Sequence, residues 1–127
     1  GLTRGTTRAH IARAALEAIA LQNFEVLEAM RKDSGLLTLL RVDGGASAND
    51  MLMQFQADML GVPLSRPAVI ETTGFGAGCL AALGAGWFND LGDVTKVWKE
   101  EKRFTPQMHQ ALVNEHLSRW RTAVAKA

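Results

Sequence analysis

The sequence predicts an α/β fold, with helices packed on a small and incomplete sheet, and three observations carry that prediction. Segments with apolar residues at helical spacing alternate with short extended runs, in the order helix, strand, helix, strand, helix, helix. One extended run, residues 36–42, is apolar without alternation, as in a strand covered on both faces. It leads straight into two glycines and a new helix start, RVDGGASAND, residues 41–50. Only two strands can be counted, and a sheet usually needs about three or more to be stable alone. The pattern therefore reads as the second half of a domain whose first strands lie upstream. The opening GLTRGTTR, without a methionine, reads as the start of a piece of a longer protein.

The elements follow in chain order. Residues 1–9 are a polar loop. A long helix spans residues 10–33, with Ile11, Ala15, Ile19, Val26 and Met30 recurring near one face and Leu16, Phe24 and Leu27 widening it. Ser34 and Gly35 end it. After the strand at 36–42 and its glycine turn, residues 49–60 form a second helix that buries Leu52, Phe55, Met59 and Leu60, and Gly61 closes it. Residues 62–67 are extended, with Pro63 limiting them to a sheet edge or a strand start. GFGAGCLAALGAGWF, residues 74–88, reads as a buried helix whose small side chains allow a close approach. Each glycine there costs about 1 kcal/mol relative to alanine, so their number calls for such a reason. Residues 89–102 are a looser connection, and KEEKR, residues 99–103, is a solvated turn. Thr105-Pro106 opens a last helix, a capping hydroxyl followed by proline. That helix carries Met108, Leu112, His116 or Leu117, Trp120 and Val124 on one side.

Composition bounds the function. The chain has 127 residues, 47% hydrophobic and 21% charged, with a formal net charge of +1, an ordinary globular balance. Acids and bases are interspersed, and no basic stripe with interleaved aromatics marks a nucleic-acid surface. The most apolar run is 15 residues, short of the roughly 20 that a spanning helix needs. A single cysteine, Cys79, fits a reducing compartment such as the cytoplasm. It reads as an inert packing thiol. His10, His109 and His116 show no metal-ligand spacing, and the three tryptophans read as core or subunit-contact residues.

The glycine turn is where a ligand would come. Glycine permits positive φ and leaves room beside the chain. The helix that follows presents unpaired N–H groups and a positive dipole end, suited to phosphate. In open α/β sheets ligands sit beyond the carboxyl ends of strands, which is this position. Gly44 and Gly45 would allow the approach of a nucleotide, and the Asn49 amide would offer it a donor and an acceptor. The same spacing also suits a plain strand–helix turn capped by Ser47 or Asn49. Neither a phosphate loop nor a dinucleotide fingerprint is present, which disfavours a dehydrogenase.

A resemblance bears on that choice. GLTRGTTRAHIARAALEAIA, then LRVDGGASANDMLMQFQADMLGVPLSRP, then the glycine-alanine helix, closely resemble the carboxyl-terminal part of the FGGY family of carbohydrate kinases. The likeness runs from the first residue to Phe104 and more loosely to the end. MQFQADMLG is similar to the members that phosphorylate glycerol more than to the pentulose kinases. ETTGFGAG, residues 71–78, departs from the family by carrying more glycine.

The resemblance implies an actin-like, ribonuclease-H-like ATPase domain, of which residues 1–127 would be the second half of the carboxyl-terminal, nucleotide-side domain. It implies transfer of the γ-phosphoryl of ATP to glycerol with Mg2+, in a cytoplasmic homo-oligomer. Carried over by position, Gly45 would touch ATP or ADP through its backbone and Asn49 would contact the adenine end. Asp43, Gly44 and Ala46 would shape the turn. The amino-terminal phosphate loop, glycerol pocket and catalytic aspartate of the family have no counterpart here. No catalytic residue or metal ligand is assigned, and the piece alone is expected to be inactive. The alternatives are another sugar kinase of the family, or a non-catalytic interaction module of the same fold.

Overall fold

The computed structural model describes residues 1–127, with the side chains of residues 33 and 34 excepted. The chain begins with helix α1, Arg8–Ser34. Thr7 and His10 form a reciprocal cap: the Thr7 oxygen accepts from the His10 amide, and the His10 ring nitrogen Nδ1 accepts from the Thr7 amide at 3.0 Å. Strand β1 is Leu40–Arg41, and a 3-10 turn, Gly45–Ala48, leads to helix α2, Asp50–Leu60. Strand β2 is Leu64–Pro67, helix α3 is Thr72–Gly84, helix α4 is Leu91–Val97, strand β3 is Glu100–Phe104 and helix α5 is Gln110–Val124.

The sheet runs β1-β2-β3, with β1 parallel to β2 and β2 antiparallel to β3. Leu40 aligns with Leu64 and Arg41 with Ser65. All four residues of β2 are buried, as a central strand requires. Pro63 falls just before β2, and Pro67 ends it where the register to β3 shifts. Neither proline then removes a bond from the middle of the ladder. The core is α1 laid on α2 and the sheet, closed by α5. Ala20, Leu21 and Phe24 meet Leu52, Phe55, Met59 and Leu60, with Leu64, Phe104 and Val113 beneath. The buried face expected of α2 is thus the one observed, and Gly61 closes it in the left-handed conformation, φ 63°. Among the described residues no helix is long and apolar enough to cross a membrane.

Several expectations change. The strand expected over residues 36–42 contracts to Leu40–Arg41, and Leu36 is 96% exposed. β1 bonds only to the start of β2, through the Leu40 and Val42 amides, and its other edge meets no strand among the described residues. On α1 the leading apolar stripe is not the one buried. Ile11, Ile19, Val26 and Met30 are exposed, while the Leu16–Phe24–Leu27 side carries the packing. The helix has two apolar faces, and α2 covers only one.

The glycine-alanine segment is a helix, but it is not buried. Only Cys79 is buried in α3, and a Cβ placed on Gly76, Gly78 or Gly84 meets no atom within 4 Å. The close approach that its small residues allow has no partner among the described residues. Trp87, just beyond it, is 83% exposed and takes no part in the core.

Residues 89–102 are more ordered than a loose connection. Asp90 caps α4, and residues 100–103 of KEEKR lie in the third strand rather than in a turn. An edge strand can keep its charges in water while its backbone pairs on one side, which hides it from a reading based on hydrophobic pattern. Finally, α5 starts at Gln110, capped by His109, and not at Thr105-Pro106. The cause is the buried Asp58, whose Oδ1 accepts from the Gln107 amide at 2.7 Å and the Met108 amide at 3.2 Å. Those bonds hold the intervening link out of the helix.

Candidate functional site

The RVDGGASAND stretch forms one compact turn at the carboxyl end of β1. Gly44 has φ 79°, a conformation that costs a side-chain-bearing residue energy, so glycine is needed there for the backbone alone. Its amide donates to the Ile70 carbonyl at 2.8 Å. Its carbonyl accepts from both the Ser47 amide, at 3.0 Å, and the Ser47 hydroxyl, at 2.7 Å. Ser47 itself is 1% exposed. Asp43 accepts a hydrogen bond from the Thr72 hydroxyl, which ties the entry of the turn to the start of α3.

Gly45 differs from Gly44. Its φ is not positive, and a Cβ built on it would meet nothing within 4 Å. The backbone of this chain therefore does not require glycine at position 45. The amides of Gly45 and Ala46 open the 3-10 turn, and neither donates to another backbone group outside it among the described residues. Both residues are exposed. Two N–H groups are thus presented beside open space.

Asn49 serves as the cap of α2. Its side-chain oxygen accepts from the Leu52 amide at 3.1 Å. Of the donor and acceptor expected of it, the acceptor is engaged in the helix, and the Nδ2 amide donates to no protein group among the described residues. The plain-turn reading and the ligand reading are compatible, because they use different atoms of this one side chain.

Gly44, Gly45, Ala46 and Asn49 are therefore brought together. A cavity of about 340 Å³ opens on the α1 side of the turn, where Asp43, Ala46 and Ser47 face Asn23 and Gln56. Asn23 donates to Gln56 at 2.9 Å across its floor. Gly45 and Asn49 do not line it.

Sequence reasoning missed Arg66, the residue that braces the turn from behind. One of its terminal nitrogens donates to the Ser47 carbonyl at 2.6 Å and to the Asp50 carboxylate at 2.8 Å, while its Nε donates to Glu101 at 2.7 Å. The guanidinium also lies 5.3 Å from the Phe104 ring centroid. Lys102 completes the network on Asp50 at 2.6 Å. Hydrogen bonds from Lys102 and then Arg66 hold the Asp50 carboxyl below its ordinary range, and Glu101 favours the charged form of Arg66. The available signal was chemical: an arginine within a buried strand needs acids nearby, and KEEKR holds two.

The remaining candidates are structural. His116 packs edge-on against Phe55, with centroids 5.3 Å apart, and His109 caps α5. Trp98 lies under the Arg41 guanidinium at 4.5 Å, and Trp120 packs against the core. Among the described residues no group of three or more His, Cys, Asp or Glu is placed to hold a metal ion.

Comparison with known proteins gives a consistent set. The model of the FGGY family of carbohydrate kinases, carboxyl-terminal domain, matches residues 1–85. A glycerol kinase of Deinococcus radiodurans is 59% identical over all of this chain and 26% of its own length. One from Dechloromonas aromatica is 55% identical over the same shares. Among solved structures, Plasmodium falciparum glycerol kinase with ADP superposes with a TM-score of 0.84 at 32% identity, covering 99% of this chain and 26% of that one. A xylulose kinase from Rhodospirillum rubrum reaches a TM-score of 0.77 at 25% identity, with the same coverage. The chain spans about a quarter of the length of the curated relatives it matches.

Proposed function

Because the chain belongs to the FGGY family of carbohydrate kinases, we propose that it is the carboxyl-terminal, nucleotide-side part of a glycerol kinase. The complete enzyme transfers the γ-phosphoryl group of ATP to glycerol, giving glycerol 3-phosphate. The observation that carries this reading is identity of 53–59% to curated glycerol kinases along all of this chain. Magnesium, cytoplasmic residence and a homo-oligomeric state belong to the same proposal.

Within it, this chain's residues bind and orient. The Gly45 backbone and its open side admit the adenosine end of the nucleotide, and the outward Nδ2 of Asn49 donates to it. Gly44 and Ala46 set the shape of the turn, and the Gly45 and Ala46 amides add positive potential. Phosphoryl transfer is chiefly positioning and charge stabilisation, to which magnesium, when bound, would contribute by neutralising charge on the phosphates. The groups that hold the metal and activate the acceptor hydroxyl lie outside this chain.

The test is ATP-dependent phosphorylation by the complete protein, offered glycerol and xylulose in parallel. Turnover of glycerol with little on xylulose is expected. Turnover of xylulose alone would favour another sugar kinase of the family, and no turnover of any polyol would favour a non-catalytic module.

A further inference from the structure

The turn that we read as the adenosine contact is braced by Arg66, a residue too deep to touch a ligand directly. Arg66 is 7% exposed, and three of its hydrogen bonds run in two directions. Towards the turn it holds the Ser47 carbonyl and the Asp50 carboxylate, at 2.6 and 2.8 Å. Towards the sheet edge it holds Glu101 at 2.7 Å. Residues 47 and 50 bracket Asn49, and Ser47 is bonded twice to the Gly44 carbonyl, whose peptide continues into Gly45. Asn49 therefore sits between two points that this guanidinium fixes, and the Gly45 amide is tied to one of them through Ser47.

We propose that Arg66 is a positioning residue for the nucleotide, setting the direction of the Gly45 amide and of the Asn49 amide through its bonds to Ser47 and Asp50. The proposal rests on the reading of this turn as the adenosine site. A planar guanidinium can serve a carbonyl, a carboxylate and an opposing glutamate at once, whereas an ammonium is a compact point donor that cannot span them. Charge alone is then insufficient at this position.

The test uses the complete protein with ADP as the probe, and four forms: wild type, Asn49→Asp, Arg66→Lys and Glu101→Gln. Calorimetry gives the ADP affinity, steady-state kinetics gives KM for ATP and for the acceptor, and thermal melting gives stability. Arg66→Lys is expected to weaken ADP and raise KM for ATP about tenfold, the loss of roughly one good hydrogen bond to a charged group. KM for the acceptor should hold. Glu101→Gln keeps an oxygen for Nε and leaves the turn contacts in place, so its ADP affinity should stay within about twofold of wild type, well inside a single hydrogen bond. If Arg66→Lys melts earlier yet binds ADP like wild type at a temperature where both are folded, the arginine is only structural and the proposal falls. It falls too if Glu101→Gln weakens ADP as much as Arg66→Lys does. If wild type binds no ADP, or Asn49→Asp binds it unchanged, the adenosine reading of the turn falls first and takes the proposal with it.

Discussion

Gly45→Ala separates what the fold needs from what the ligand needs. Gly44 is held at φ 79° and Gly45 is not. The added methyl at position 45 would meet no protein atom within 4 Å. Alanine at a compatible position removes freedom from the unfolded chain, which stabilises by about 0.4–1 kcal/mol. The substitution is therefore expected to leave the melting temperature unchanged or slightly raised. The space it occupies is the space through which the nucleotide is proposed to approach. A methyl that displaces the ligand by part of an ångström lengthens the hydrogen bonds on that side, and the loss of one such bond is worth about tenfold in affinity. Calorimetric titration of ADP into the complete protein reads the affinity, and a melt of the same samples reads the stability. Weaker binding in an equally stable protein is the expected pair of results. Equal binding would refute the reasoning, because it would mean that the open side of Gly45 faces no ligand. Gly44→Ala is the counterpart, and it should lose stability, since alanine there is forced to a positive φ with an extended ψ, at a cost of about 1–3 kcal/mol.

Three further outcomes follow from named contacts. Asn49→Asp keeps the oxygen that caps α2 and replaces the outward amide with an anionic oxygen, so stability should hold while ADP binding falls; both quantities can be measured on one preparation. Asp58→Ala strands the Gln107 and Met108 amides and should cost about 1–3 kcal/mol in urea denaturation, with Asp58→Asn milder because an acceptor oxygen remains. Lys102 and Arg66 depress the Asp50 carboxyl from its ordinary value near 3.8, so the native state binds fewer protons there than the unfolded chain. The stability it contributes is complete above that value and is lost as pH falls through the lower native one. Asp50→Asn should accordingly flatten part of the acid limb of a stability–pH curve, and an unchanged limb would count against the pairing.

Much of this architecture was legible where one physical signal dominated. α2 could be placed because its apolar spacing, asparagine cap and closing glycine all agree. The turn could be placed because a strand ending on paired glycines before a helix leaves few backbone alternatives. Legibility failed where tertiary partners decide. On α1 two apolar stripes compete, and only the position of α2 selects the one carrying Phe24. β3 consists mostly of charged residues, so its strand character comes from hydrogen bonds to β2, which hydrophobic pattern does not encode. The start of α5 is displaced by Asp58, about fifty residues away in sequence. The chemistry of the site divides in the same way: Gly45 and Asn49 announce themselves locally, whereas Arg66 acquires its role from a fold that brings Ser47, Asp50 and Glu101 around it.

That last arrangement bears on where this unit can be divided. The family model ends at residue 85, but Glu101, Lys102 and Phe104, which flank the guanidinium, lie beyond it. A chain cut at that boundary would keep every proposed ligand-contacting atom and lose the backing that aims them, along with the strand that covers one side of β2. The stretch that the family model matches is thus shorter than the stretch that packs together here.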